Sequence, residues 1–73
     1  MGLDISTGVY KARKRCGYTQ AEFGKELHVN GNTISSWERG KTQPSMEKIV
    51  RISEISGLSI GEIMMYSDYH NVD

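Results

Sequence analysis

Residues 19–40, TQAEFGKELHVNGNTISSWERG, read as a pair of short helices joined by a turn with no slack. Thr19 is a good N-cap, and Glu22 stands where its carboxylate reaches back to the Thr19 amide, so together they form a capping box. From Gln20 to Leu27, the residues Ala21, Phe23, Gly24 and Leu27 line one side of a helix. Asn30 is a second N-cap, and Ile34 with Trp37 gives the following helix its apolar stripe. His28, Val29 and Asn30 are all that connects them.

A connection this short, with one helix crossing the other, makes a helix-turn-helix, whose second helix enters the major groove of DNA. Gly24 supports the crossing. A mid-helix glycine costs about 1 kcal/mol relative to alanine, and here the spacing predicts that the second helix passes with no room for a side chain. His28 begins the turn where a left-handed backbone is expected. Glycine adopts that conformation most easily, and His is among the other residue types enriched in it.

The chain has 73 residues, one small domain near the lower limit for folding without staples. We expect the domain to run over residues 1–66, with 67–73 a tail that lacks periodicity and frays. The single cysteine, Cys16, excludes an internal disulfide and fits a reducing cytoplasm, the expected location. No apolar run approaches a membrane span, and MGLDISTG lacks the pattern of a signal peptide. Helix formers, a single proline and no alternating strand pattern predict an all-α fold, a compact five-helix bundle. Net charge is zero, but it is unevenly placed. Residues 1–41 carry seven Lys or Arg against four Asp or Glu, and residues 42–73 carry two against five. The basic half contains the helix-turn-helix, so one end is expected to face DNA and the acidic end to turn away from phosphate.

Asp4 or Ser6 can cap a first helix ending near Cys16, with Ile5, Val9, Ala12 and Cys16 on its inner face. Lys11, Lys14 and Arg15 lie elsewhere on it, as a solvated face or as phosphate contacts. Gly17 is placed to end this helix, and Tyr18 to staple it to the next. Residues 40–44, GKTQP, read as a loop. Ser45 caps a fourth helix from Met46 to Ser56, with Met46, Ile49, Ile52 and Ile55 facing inward and Gly57 closing it. Ser59 and Glu62 make a second capping box, for a fifth helix of about eight residues with Ile60, Ile63 and Met64 apolar.

From about Ile5 to Met64 the chain resembles the phage repressor and Cro family of helix-turn-helix regulators. The resemblance rests on Tyr18-Thr19-Gln20, Leu27, Val29, Gly57, Ser59 and above all the run TISSWERGKTQPS, residues 33–45. It implies that Gln20, at the start of the second helix, clamps a phosphate and orients the recognition helix. It implies an ion pair between Arg13 in the first helix and Glu38 at the end of the recognition helix. It also implies phosphate contacts from Arg39, Lys41 and Thr42 in the loop that follows, and dimerisation through the last helix. Many members carry Gln, Arg or Lys at the first position of the recognition helix, where this chain has Gly31. His28, Ile55 and Ser56 also depart from the usual residues.

With Gly31 offering no side chain, base readout is expected from Asn32, Thr33 and Ser36. Trp37 shares the apolar face with Ile34 and is expected in the core rather than stacked on a base. Met64, Met65, Tyr66 and Tyr69 are more apolar surface than one short helix hides, and Met64, Met65 and Tyr66 are expected at a homodimer interface. His28 and His70 with a distant cysteine lack metal-ligand spacing, so no metal site and no cofactor are expected. No motif pairs a nucleophile with a base and the domain is too small for a sizeable catalytic pocket, so no enzymatic activity is expected. The reading is a sequence-specific binder of a double-stranded DNA operator, a transcriptional regulator of repressor type. Two alternatives stand beside it: a protein-interaction module such as an antitoxin subunit holding a protein partner on its acidic face, and the DNA-binding end of a longer regulator.

Overall fold

A computed structural model describes residues 5–65. They form five helices: α1 (Ile5–Cys16), α2 (Gln20–Leu27), α3 (Gly31–Glu38), α4 (Met46–Ser56) and α5 (Ile60–Met65). No strand occurs among the described residues, so the fold is all-α, and none of these helices is long and apolar enough to cross a membrane.

The core is assembled from every helix. Val9 and Ala12 come from α1, Phe23 and Leu27 from α2, Ile34 and Trp37 from α3, Ile49 and Ile52 from α4, and Ile63 from α5. Fully burying a Val, Leu, Ile or Phe side chain contributes about 1.5–3 kcal/mol each, so these apolar faces rather than any exposed pair hold the helices together. Ile5, Cys16, Tyr18, Val29, Ile55, Leu58 and Met64 ring this cluster, partly buried. α1 is the hub, packing on α3, α4 and α5, while α2 packs chiefly on α3.

Local signals end the helices as expected. Gly17 and Gly57 close α1 and α4 in the left-handed region, at φ of 80° and 82°. Ser45 Oγ accepts from the Lys48 N–H at 3.3 Å. Ser59 and Glu62 satisfy each other's backbone N–H at 3.0 and 2.8 Å, the second capping box. Side chains from α1 complete the far end of α4: Arg15 Nε donates to Ser56 O at 2.9 Å and Cys16 Sγ to Ile55 O at 3.5 Å. A cation at a helix C-terminus also complements the helix dipole. Burial pushes the Cys16 thiol pKa up, Arg15 lowers it and Glu26 raises it further, so the group stays an S–H donor at neutral pH.

The structure corrects the inward placement of Met46 and leaves two further apolar residues outside the core. Ala21, Met46 and Ile60 are exposed. All three occupy the first turn of their helices, where the chain arrives from the surface and the axis has not yet reached the core. In α4 the buried face starts at Ile49 and continues to Ser56, which is 7% exposed, whereas Ile55 packs only at the margin. Ser6 lies within α1 rather than capping it; Asp4, the tail 67–73 and Tyr66 lie outside the described residues. In α5 the described part is six residues long, ending at Met65.

Gly8, which no sequence feature singled out, lets α1 and α5 touch. A Cβ there would lie 1.8 Å from the carbonyl oxygen of Ile63, a backbone atom that has nowhere to go. Gly61, in α5 itself, has only Ser59 Oγ nearby, at 3.9 Å. Gly8→Ala should therefore destabilise the domain by about 1–3 kcal/mol or more through overpacking, while Gly61→Ala should be neutral or stabilise by up to about 1 kcal/mol through helix propensity. Paired denaturant melts check this, and equal midpoints for the two variants would contradict the close approach.

Candidate nucleic-acid interface

The surface is built on the turn between α2 and α3. Thr19 Oγ1 accepts from Glu22 N–H at 3.1 Å, and the Glu22 carboxylate accepts from Thr19 N–H at 2.9 Å. His28 closes α2 at φ 60°, ψ 38°, in the left-handed region, and Val29 N–H returns to Gly24 O at 2.9 Å. Lys48 of α4 donates to Leu27 O at 2.7 Å, placing a cation on the carbonyl end of α2. A Cβ on Gly24 would lie 2.6 Å from Val29 O. The space is taken by the backbone of the turn itself, a nearer neighbour than the crossing helix expected from sequence.

Asn30 starts α3, its Oδ1 accepting from Thr33 N–H at 3.1 Å. Gly31 then lies against the first turn of α2, where a Cβ would meet Ala21 Cα and N at 3.2 Å. A side chain here would need the α2 backbone to give by a few tenths of an ångström. Ile34 and Trp37 turn inward, 0% and 5% exposed. That leaves Asn32 exposed, with Thr33 and Ser36 half-buried beside it, all on the outward side of the helix. The Thr33 hydroxyl is turned back to Asn30 Oδ1 at 3.5 Å, and Ser36 Oγ lies 2.8 Å from Thr42 Oγ1.

Behind this face, three elements meet on one carboxylate. Arg13 Nε donates to Glu38 Oε2 at 2.6 Å and Arg13 Nη2 to Glu38 Oε1 at 3.2 Å, the two side chains 12% and 7% exposed. Gln20 Nε2 donates to the same Oε1 at 3.1 Å. Arg13 Nη1 donates to Tyr18 O at 2.9 Å, and the guanidinium carbon lies 5.4 Å from the centre of the Tyr10 ring. Glu38 therefore ties α1, the start of α2 and the end of α3. The Gln20 contact, absent from the sequence reading, leaves this side chain pre-positioned at the edge of the face.

The loop after α3 carries two exposed cations, Arg39 and Lys41. Gly40 N–H returns to Trp37 O and Lys41 N–H to Ser36 O, with Gly40 at φ 74°, so the chain turns sharply and keeps Arg39, Lys41 and Thr42 at the surface beside the recognition helix. Lys14, with its Nζ 6.0 Å from the Tyr10 ring centre, is exposed on α1, as is Lys11. Arg15, grouped with them in the sequence, instead faces the end of α4. At the far end, Met65 is 57% exposed while Met64 packs partly on the core. Among the described residues no cluster of three His, Cys, Asp or Glu side chains is arranged to hold a metal ion.

The Arg13–Glu38 pair yields a stability prediction. Removing one partner of a largely buried ion pair costs about 3–5 kcal/mol, because the other charge is left unpaired. A domain of this length has about 4–11 kcal/mol in total at the usual ~0.05–0.15 kcal/mol per residue. Glu38→Ala is expected to unfold much of the population at 37 °C in thermal melts; a melting temperature within a degree or two of the parent would show that the fork contributes nothing.

Comparison with known proteins places this geometry. Residues 9–63 match the family model described as Helix-turn-helix. The chain is 31% identical over 57 residues to the HTH-type transcriptional regulator ImmR of Bacillus subtilis, covering 78% of this chain and 45% of that protein. It is 37% identical over 62 residues to the HTH-type transcriptional activator BcrR of Enterococcus faecalis, covering 85% and 30%. It thus spans less than half the length of these two relatives. The fold superposes on the P22 c2 repressor protein, solved in complex with a synthetic operator, with a TM-score of 0.75 and 27% identity over 86% of this chain and 96% of that one. With its family match over most of its length and its two eight-residue helices set at a tight turn, the chain belongs to the helix-turn-helix family, in the branch typified by the phage repressors.

Proposed function

We propose that this chain binds double-stranded operator DNA as a transcriptional regulator of repressor type, laying α3 in the major groove. The observation that carries the reading is the division of α3 into a buried side, Ile34 and Trp37, and an outward side of small polar residues flanked by the exposed cations Arg39 and Lys41. The P22 c2 repressor, the structural neighbour solved on its operator, supports it. In this reading Asn32, Thr33 and Ser36 face base edges, while Gln20, Arg39, Lys41 and Thr42 contact phosphates. Asn32 alone can make a bidentate contact, and its natural partner is adenine N6/N7. Thr33, its hydroxyl drawn to Asn30, offers a methyl suited to a thymine methyl. Activity in the cytoplasm, with no catalytic role and no cofactor, belongs to the same proposal.

The same proposal includes a dimer on DNA. Helix-turn-helix proteins read half-sites one turn of DNA apart, about 34 Å. The described residues measure 33 × 24 × 21 Å and carry one helix of this kind, so in this reading a second copy supplies the other. Met65 is the exposed apolar residue best placed for a two-fold contact, with Met64 beneath it and Tyr66 next in sequence.

The test is a gel shift against genomic fragments over a salt series. Specific complexes whose affinity falls steeply with salt support the reading, since phosphate contacts release counterions; a protein-interaction module would give no specific shift. On a selected site, Asn32→Ala should cost about 1–3 kcal/mol and relax preference at one base pair per half-site. Lys41→Ala should weaken all sequences alike and reduce the salt slope by about one per protomer. Sedimentation of the complex should find two protomers per operator, and a single bound protomer would exclude the dimer.

A further inference from the structure

Ser36 and Thr42 stand on different parts of the interface, one on the outward side of α3 and the other in the loop that follows. Their hydroxyl oxygens are 2.8 Å apart, and either can be the donor. A hydroxyl has one proton and two acceptor lone pairs. In the free protein, both directions of this hydrogen bond are therefore available. A phosphate oxygen, by contrast, only accepts.

Building on the DNA-binding reading above, we propose that a phosphate at Thr42 fixes the direction of this bond and so makes Ser36 an acceptor-only reader of bases. Thr42 has a single proton. Once it is donated to phosphate, Thr42 Oγ1 can meet Ser36 only as an acceptor, and the Ser36 proton must point at Thr42. Ser36 then presents lone pairs alone to the groove. The donors displayed there are N6 of adenine and N4 of cytosine, whereas O6 and N7 of guanine and O4 of thymine are acceptors that would face those lone pairs without a proton between them. The base opposite Ser36 is accordingly adenine or cytosine. Thr42 acts as a specificity-determining residue without touching a base, and backbone and base contacts are coupled through one proton.

Selection of bound sites from random duplex DNA, with the full chain and its Thr42→Val, Thr42→Ser and Ser36→Ala variants, tests this. Thr42→Val keeps the shape and removes the hydroxyl; Thr42→Ser keeps the hydroxyl. The parent should prefer adenine or cytosine over guanine or thymine by about three- to tenfold at one position per half-site, the range of one hydrogen bond. Ser36→Ala should erase that preference and so identify the position. Thr42→Val should reduce it below about twofold there and nowhere else, and Thr42→Ser should retain it. Uniform weakening by Thr42→Val with the preference intact would overturn the proposal, as would a parent preference for guanine or thymine at the position that Ser36→Ala alters. Enriched sites with no preference at any Ser36-dependent position would remove this inference alone. Failure of the parent to enrich any site would remove the DNA-binding reading and this inference with it.

Discussion

The Glu38 carboxylate is the point on which the recognition surface depends. It lies at the end of α3, 7% exposed, and receives the Arg13 fork from α1 and the Gln20 amide from the start of α2. The hydrophobic driving force is non-directional; the packing of Ile34 and Trp37 sets how α3 lies on the core, and the Glu38 contacts add hydrogen bonds of fixed geometry. A bidentate pair fixes angle as well as distance. Arg13 is itself anchored by Tyr18 O, in the segment between α1 and α2, so the geometry of the helix-turn-helix is referred back to α1, the longest of the described helices.

Close approach does the rest. Gly8 lets α5 rest on α1, Gly24 makes room for the turn, and Gly31 lets the start of α3 come against α2. Each gives up side-chain burial and some helix propensity, roughly 1 kcal/mol for a helix interior, and gains backbone contact that a domain this small uses to bring every helix to one core. Gly31 has a second consequence. With no side chain at position 31, the outward side of α3 is left to the uncharged residues Asn32, Thr33 and Ser36.

Charge is accordingly concentrated at the margins. Arg39 and Lys41 stand exposed beside α3, while on α4 the exposed Glu54 is paired with the exposed Arg51 at 3.3 Å. Net charge is zero over the chain, yet the attraction felt by a phosphate within a Debye length, about 8–10 Å, is set by the near side alone. A neutral total and a cationic patch beside α3 are thus compatible.

Much of this was legible in local pattern. The capping box at Thr19, the caps at Asn30 and Ser45, the left-handed turn at His28 and the inward stripe of Ile34 and Trp37 all depend on residues within four positions of one another, and hydrogen bonds and helix periodicity at that range are decided by the chain itself. From these the helices, the turn and the outward set Asn32, Thr33 and Ser36 follow. The Arg13–Glu38 pair was accessible through family resemblance, not through pattern. What only the tertiary structure decided joins residues far apart or compares alike ones: Gln20 on Glu38, Arg15 on the end of α4, Ser36 on Thr42, the exposure of Met46 and Ile60, and the contrast between crowded Gly8 and open Gly61. The physical reason is common to them. A hydrogen bond or a steric clash turns on a few tenths of an ångström between backbones, and that separation is set by how five helices pack together rather than by the residues on either side.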